Sequence, residues 1–187
     1  MAVNFFTRSG EAAGAVGRND MLTRRHIFYA GAAGLGLAVF RLARPHAATA
    51  ATHPYEVTHT DAEWHKLLTP AQYNVLREEG TELPFTSPLL EEHHAGTFSC
   101  AGCDLAAFSS KTKFDSGTGW PSFWAPLPNA VDETEDHSFG MTRTAVSCHR
   151  CGSHLGHVFT DGPKPTGLRY CMNGVALKFT PSPAGSS

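Results

Sequence analysis

Five cysteines are the side chains whose spacing most clearly indicates chemistry in this chain of 187 residues. Four form two Cys-x-x-Cys pairs, Cys100 with Cys103 and Cys148 with Cys151. Each pair places two sulfurs on one tight turn, and two such turns supply the tetrahedral thiolate site that zinc prefers. Because four sulfurs close the site, we predict one structural Zn²⁺ per chain. Cys171 belongs to neither pair and is therefore the candidate free thiol.

Two disulfides are the alternative for the paired cysteines in an oxidising compartment. A disulfide within a Cys-x-x-Cys closes a very small loop, so it would stabilise the fold little. A redox-active Cys-x-x-Cys, as in a thiol–disulfide oxidoreductase, is a further alternative. The spacing of the two pairs favours zinc.

The neighbours of Cys171 suggest a nucleophile. On an extended segment, Arg169, Cys171 and Asn173 would share one face, with Tyr170 and Met172 on the other. A guanidinium beside a thiol favours the thiolate and lowers the pKa of that thiol. The alternative is a buried core cysteine, the commoner fate of a lone cysteine. The nearby arginine and a glycine at each end of the stretch 167–174 argue against it.

Two histidines follow the second Cys-x-x-Cys pair. His154 and His157 are attached to a turn that a metal would hold, so they are candidate acid/base groups near neutral pH. Exposed loop histidines are the alternative. His149 and the adjacent His93 and His94 have no such context, and we predict that they lie on the surface.

The aromatic run 117–124 lies on a turn rich in glycine and proline. Trp120 in this run either packs in the core or forms a wall of the substrate site.

The elements that must position these groups are predicted to be short. Thr60 and Thr69 are predicted N-caps of two helices, the first with Trp64, Leu67 and Leu68 as its apolar stripe, and Gly80 ends the second. Residues 81–88 are predicted to be a loop. Beyond residue 95, short alternating runs at 106–114, 138–146, 154–159 and 175–179 predict a small antiparallel β domain.

The charge divides unevenly along the chain. Residues 1–50 hold six arginines and two acidic residues, net +4, whereas residues 51–187 carry net −6. An acidic body disfavours a nucleic-acid-binding zinc ribbon. In the leader, Arg24 and Arg25 precede the uncharged run 29–40, which is shorter than the roughly 20 apolar residues of a membrane-spanning helix.

We predict that residues 1–50 form a twin-arginine-type export signal cleaved after Ala50, and that residues 51–187 act outside the cytoplasm, in the periplasm. The sequence Ala-Thr-Ala at 48–50 supplies the small-residue exit. An uncleaved amphipathic or buried helix is the alternative. We expect no stable insertion into the membrane.

Four motifs in the second half resemble one family. They are Gly-Thr-Gly-Trp-Pro-Ser-Phe at 117–123, Cys-Gly-Ser-His-Leu-Gly-His-Val-Phe at 151–159, Asp-Gly-Pro-Lys-Pro-Thr-Gly at 161–167 and Leu-Arg-Tyr-Cys-Met-Asn at 168–173. With the two Cys-x-x-Cys pairs, they resemble peptide-methionine (R)-S-oxide reductases, the type B methionine sulfoxide reductases. The resemblance covers roughly residues 55–180 and implies a mainly β fold: two small antiparallel sheets, short N-terminal helices and a Cys₄ zinc site opposite the active site.

The resemblance also implies a function in protein repair and the oxidative stress response. It further implies roles for single residues. Cys171 would be the nucleophile and Arg169 its neighbour, while Trp120 would contact the substrate methyl. The groups around the sulfoxide oxygen would be His154, His157 and Asn173. The substrate would be methionine-R-sulfoxide in proteins or peptides, and the nucleophile would become a sulfenic acid.

One position departs from the pattern. Many relatives carry a recycling cysteine where this sequence has Thr118. We therefore predict a cycle with one cysteine, in which a thioredoxin-like protein or a small thiol reduces the sulfenic acid. We expect a monomer that does not bind nucleic acid. The alternative function is a non-catalytic zinc-binding chaperone or interaction module of a related fold, which would need neither Cys171 nor the two histidines.

Overall fold

The computed structural model describes residues 53–183. The predicted export signal at residues 1–50 and its cleavage after Ala50 lie outside the described residues and stay predictions. No helix within residues 53–183 is both long and apolar enough to cross a membrane.

Two short helices open the described part. Helices α1 (Asp61–Leu67) and α2 (Pro70–Glu78) both begin at the predicted threonine N-cap, and the side chain three residues later completes a capping box. Trp64 and Leu68 are buried as predicted, but Leu67 is 58% exposed, so its place in the apolar stripe was wrong. Helix α2 ends at Glu78, two residues before Gly80, because Glu79 adopts a left-handed backbone with a φ of 57°.

The predicted mainly β fold of two antiparallel sheets is confirmed. The smaller sheet has the order β2-β1-β9, from β1 (Gly96–Cys100), β2 (Ala106–Ser109) and β9 (Leu177–Pro181). The larger sheet has the order β3-β4-β8-β7-β6-β5. Its strands are β3 (Lys113–Phe114), β4 (Ser122–Phe123), β5 (Val131–Asp136), β6 (Arg143–Cys148), β7 (His154–Phe159) and β8 (Arg169–Met172).

The strand bounds differ from the predicted runs where a 3₁₀ turn intervenes. Such turns, at Ser110–Thr112, Ser138–Gly140 and Gly174–Ala176, interrupt or replace part of three predicted strands. Strand β7 has the predicted bounds. Strand β5 was missed because its sequence is almost entirely acidic and threonine, without apolar alternation. It lies at the edge of the large sheet, where charged side chains are common.

An aromatic cluster joins the two sheets. Phe98 of β1 packs against Phe123 of β4 with ring centroids 5.0 Å apart, and Phe108 of β2 stacks on the same ring at 4.5 Å. All three side chains are fully buried. The core therefore lies between the sheets and fixes β4, the strand next to β8.

Candidate active site

A cavity of about 130 Å³ opens on the large sheet where β7 and β8 meet the loop after α2. It contains Cys171, His157, Trp120 and Asn173, four of the residues predicted for the site. The other lining residues are Thr81, Arg143, Gly156 and Phe159.

Strand β8 places the sulfur through its register. Cys171 lies directly opposite His157 of β7 and, on its other edge, opposite Ser122 of β4. Residues opposite each other in antiparallel strands point to the same face. The alternation along β8 is as predicted, because Tyr170 and Met172 are buried on the other face while Cys171 is half-buried.

The electrostatics of Cys171 differ from the prediction. Burial raises the pKa of this thiol, and the hydroxyl of Thr118 and the charge of Arg169 lower it by less. The oxygen of Thr118 lies 3.9 Å from the sulfur. Arg169 is engaged elsewhere as well, since its Nε and one terminal nitrogen each donate a hydrogen bond of 2.9 Å to Asp161. The arginine therefore acts in the predicted direction, but desolvation outweighs it.

A β-bulge brings the two predicted histidines together. His154 and His157 are three residues apart, so a regular strand would point them to opposite faces. Val146 pairs with Gly156 and Ser147 with His154, which leaves Leu155 as an extra residue of β7. The two imidazole centroids are 5.2 Å apart.

His154 is the inner member of this pair. Its side chain does not line the cavity, and only 6% of the residue is exposed. Burial, and next the neighbouring His157, lower its pKa to about 4. Within residues 53–183 its Nε2 has no hydrogen-bond partner. His154 is therefore a neutral imidazole at neutral pH.

His157 is held by a carboxylate. Its Nε2 lies 2.9 Å from Asp136 Oδ2, and Arg143 donates to the same oxygen at 2.6 Å. Hydrogen bonds from Ser138, the backbone N–H first, hold the pKa of Asp136 well below its usual range. The carboxylate is thus ionised and accepts the Nε2 proton. Burial lowers the pKa of His157, and this carboxylate opposes the effect.

Glu82 ties the loop after α2 to the segment that follows β8. Its carboxylate accepts hydrogen bonds from the backbone N–H groups of Gly174 and, at 3.1 Å, Val175. Its own N–H donates to Asn173 Oδ1 at 3.0 Å, and its carbonyl accepts from Trp120 Nε1 at 3.1 Å. One residue therefore positions both the aromatic wall and the amide of the site.

The amide of Asn173 is largely committed to the fold. Besides its bond to Glu82, its Nδ2 donates to the carbonyl of Leu155 at 3.2 Å. Asn173 thus lines the cavity while linking β7, β8 and the loop after α2.

Sequence reasoning missed several groups at the site. Phe159 was available from the period of two, since it lies two residues after His157 on the same strand. Asp136 of β5 contacts His157 of β7 across β6. This contact could not be predicted because strand β5 was not predicted. Glu82 lies in a loop with no pattern that could have identified it.

The four paired cysteines also meet. Their sulfurs all lie within 4.8 Å of one another, with Cys100 to Cys151 at 3.8 Å and Cys103 to Cys148 at 3.5 Å. A tetrahedron with zinc–sulfur bonds of about 2.3 Å has sulfur separations of about 3.8 Å. Hydrogen bonds from its neighbours lower the pKa of Cys103, and the same contacts raise that of Cys100. The four sulfurs are thus close enough together for the cluster to bind a metal ion.

Comparison with known proteins identifies related chains. The SelR domain model matches residues 68–181. The peptide methionine sulfoxide reductase MsrB of Leptospira interrogans is 54% identical over 126 residues, which are 67% of this chain and 96% of that protein. MsrB of Agrobacterium fabrum is 54% identical over 127 residues (67% and 94%), and MsrB of Pseudomonas putida is 56% identical over 127 residues (67% and 96%).

Replacing Glu82 tests its role in holding the site. In Glu82→Gln an amide nitrogen faces one of the two backbone N–H groups, and an unsatisfied buried donor costs about 1–3 kcal/mol. We expect the free energy of unfolding to fall by that amount and amide hydrogen exchange at Gly174 and Val175 to accelerate. The matched control is Glu91→Gln, at an exposed position. Unchanged exchange at Gly174 in Glu82→Gln would contradict the role.

The burial of His154 predicts a dependence of stability on pH. Its pKa falls from 6.5 to about 4 on folding, so the unfolded chain binds a proton that the folded chain rejects between these values. The free energy of unfolding keeps this contribution above pH 6.5 and falls by about 3 kcal/mol as the pH falls towards 4. Denaturant unfolding between pH 4 and 7 should show this slope in the native chain and a smaller one in His154→Gln. The exposed His65→Gln should keep the full slope.

Proposed function

The chain belongs to the MsrB family of peptide methionine sulfoxide reductases, and we propose that it reduces methionine-R-sulfoxide in oxidised proteins and peptides through the thiolate of Cys171. The observation that carries the proposal is the position of this sulfur. It lies in the cavity opposite His157, with Trp120 and Asn173 in the walls. A nucleophile, an acid/base group and an aromatic contact thus converge on one small site.

The first step is attack of the Cys171 thiolate on the electrophilic sulfoxide sulfur. Since burial raises the pKa of the thiol, the thiolate forms with help from the Thr118 hydroxyl and the charge of Arg169. The bidentate contact with Asp161 keeps that guanidinium in place beside β8. A desolvated thiolate is also the more reactive one, because it has fewer hydrogen bonds from water to break.

The second requirement is a proton for the departing oxygen. His157 lies opposite Cys171; burial lowers the pKa of His157, and the ionised Asp136 opposes this by favouring the imidazolium form. His157 is therefore the proton donor. The neutral His154 packs against its ring and limits how that ring can rotate. Arg143 keeps Asp136 in position from the other side.

The chemical balance is simple. The Cys171 thiol and one methionine sulfoxide yield methionine and a cysteine sulfenic acid, so the oxygen moves from one sulfur to the other. The substrate sulfur gains two electrons and the cysteine sulfur loses two. Two external thiols then reduce the sulfenic acid, releasing water and forming their own disulfide.

An external thiol is needed because a threonine, Thr118, and not a second cysteine, lies beside the sulfur of Cys171. Its hydroxyl is 3.9 Å from the sulfur and cannot form a disulfide. The remaining four cysteines form the metal-binding cluster. A thioredoxin-like protein or a small thiol is therefore the proposed reductant.

Selection of one epimer follows from the cavity walls. Trp120 is anchored to Glu82 and offers an aromatic face for the substrate methyl, whereas the histidine side of the cavity is polar. A sulfoxide whose methyl and oxygen are exchanged would bring its oxygen to the indole. The loss of hydrogen bonds in that pose disfavours the S epimer.

We assign zinc to the four-cysteine cluster on the sulfur separations and the soft thiolate ligands. Four sulfurs leave no open coordination position, so the ion would be structural. It would fix the turn of Cys148 and Cys151, from which β7 and its histidines begin.

We further propose that the leader exports the protein and is cleaved after Ala50, so that residues 51–187 repair proteins as a monomer in the periplasm. The support is the layout of residues 1–50: paired arginines, a short apolar run and a small-residue exit.

Assay of separated R and S epimers tests the activity. With dithiothreitol as reductant, we expect the native chain to consume only the R epimer of a methionine sulfoxide peptide. Cys171→Ser should lower the rate by about a thousandfold or more, because the nucleophile is lost. Its metal content should stay unchanged, which shows that the fold is intact. Full activity in Cys171→Ser would contradict the mechanism. No loss of the R epimer with the native chain would favour a non-catalytic module.

The recycling scheme predicts the behaviour of Thr118→Cys. The new sulfur would replace an oxygen 3.9 Å from Cys171, so the sulfenic acid should condense with it to an intramolecular disulfide. Mass spectrometry after one turnover should show the gain of an oxygen in the native chain and the loss of two hydrogens in the variant. Thr180→Cys, exposed on β9 of the other sheet, is the control and should form no such bond. A stable sulfenic acid in Thr118→Cys would count against the geometry.

A further inference from the structure

A second group of metal-ligating side chains lies outside the catalytic cavity. Asp132 of β5 has an imidazole on each side: His149 Nδ1 is 2.8 Å from its Oδ1, and His53 Nε2 is 3.3 Å from its Oδ2. One ligand atom from each residue lies within 4.8 Å of the other two. The two imidazole rings are in contact, with centroids 3.9 Å apart.

We propose that His53, Asp132 and His149 form a second site for a divalent transition metal ion, with Zn²⁺ as the ion that fits best. Two imidazole nitrogens and one carboxylate oxygen suit zinc and its borderline neighbours rather than calcium or magnesium. Tetrahedral bonds of about 2.0–2.1 Å place ligand atoms about 3.3 Å apart. The separations from Asp132, 2.8 and 3.3 Å, lie at or below that value, so small side-chain rotations would complete three ligand bonds. The fourth position would remain open to solvent.

The three ligands are held in place by the fold. Asp132 pairs with Ser147 across β5 and β6, and its side chain is only 11% exposed. The N–H of His149 donates to the carbonyl of Ala130 at 3.0 Å. His53 packs edge-on against Tyr55, whose ring in turn covers Gly152 of the second cysteine turn. Two imidazoles directed at one partly buried carboxylate are a preformed ligand set.

This site is separate from the two described above. Asp132 and Asp136 are four residues apart on β5, about 13 Å along the strand, and Asp136 serves His157. The four-cysteine cluster uses sulfurs alone, and His149 lies between two of its ligands in sequence without joining them. His149 was predicted to lie on the surface because neither His53 nor β5 was expected near it.

A metal ion at this position would join two segments of the chain. His53 is the first residue that the structure describes, and the segment after it runs along the second cysteine turn, where Val57 N–H donates to Arg150 O at 3.0 Å. An ion bound by His53 and His149 would fix the beginning of this segment to that turn. Its occupancy would therefore couple the segment following residue 52 to the metal cluster and to β5.

Titration with Zn²⁺ tests the site. Full-length protein already holding one zinc per chain is titrated by calorimetry and then analysed for metal. We expect one further equivalent in the native chain. His53→Gln, His149→Gln and Asp132→Asn should each lose that equivalent while keeping the first. His65→Gln is the matched control, because His65 lies 3.8 Å from a carboxylate, Asp61, in a pair that no third ligand among residues 53–183 joins.

A spectroscopic arm locates the ion in the native chain, so that the result does not depend on any variant folding. Co²⁺ added to the zinc-loaded protein should broaden the ring proton signals of His53 and His149 and leave those of His65 and His157 sharp. The full chain is used because cleavage after Ala50 would place a free amino group two residues before His53, and such a terminus binds metals by itself. Absence of a second equivalent, its persistence in all three variants, or broadening elsewhere would overturn the proposal.

Discussion

The pairing of β8 between β7 and β4 is the constraint on which the site depends. Side chains alternate along a strand, so a slip of one residue would move Cys171 into the core and bring Tyr170 to the cavity. The register is held from the inner face. Tyr170 and Met172 are buried on the inner face, and the aromatic cluster between the sheets holds β4 through Phe123. The position of the reactive sulfur is therefore determined by packing on the opposite side of its own strand.

The sequence was sufficient where a local pattern corresponds to a local structure. The two capping boxes, the limits of β7 and the alternation around Cys171 are all of this kind. The pairs of cysteines were also informative, because metal ligation restricts their spacing. In contrast, contacts made across several strands were out of reach. Asp136 touches His157 only because β5, β6 and β7 are neighbours, and Glu82 acts on its partners through backbone groups that leave no trace in residue type.

The pKa of the Cys171 thiol shows why the electrostatics of a site cannot be predicted from residue types and spacing alone. Arg169 near Cys171 suggested an acidified thiol, and its effect on the pKa has the expected sign. The depth of the sulfur and the bond of Arg169 to Asp161 could not be inferred from spacing. The same burial makes His154 neutral. Both groups are thus tuned mainly by desolvation, a property of the assembled fold, and the nearest charges are secondary.

The bulge in β7 has a consequence for how this segment can change. The interval from His154 to His157 is three strand steps, an odd number, and the surplus residue Leu155 compensates for it. Deleting Leu155 would leave two steps, so both imidazoles would share a face in an ordinary ladder, whereas losing the bulge at full length would turn one imidazole to the opposite face. Substitution within the interval is limited at Gly156, where an added Cβ would clash with the carbonyl oxygen of Cys171. At this point the spacing of the two histidines, and not only their residue type, determines whether they share one face of the strand.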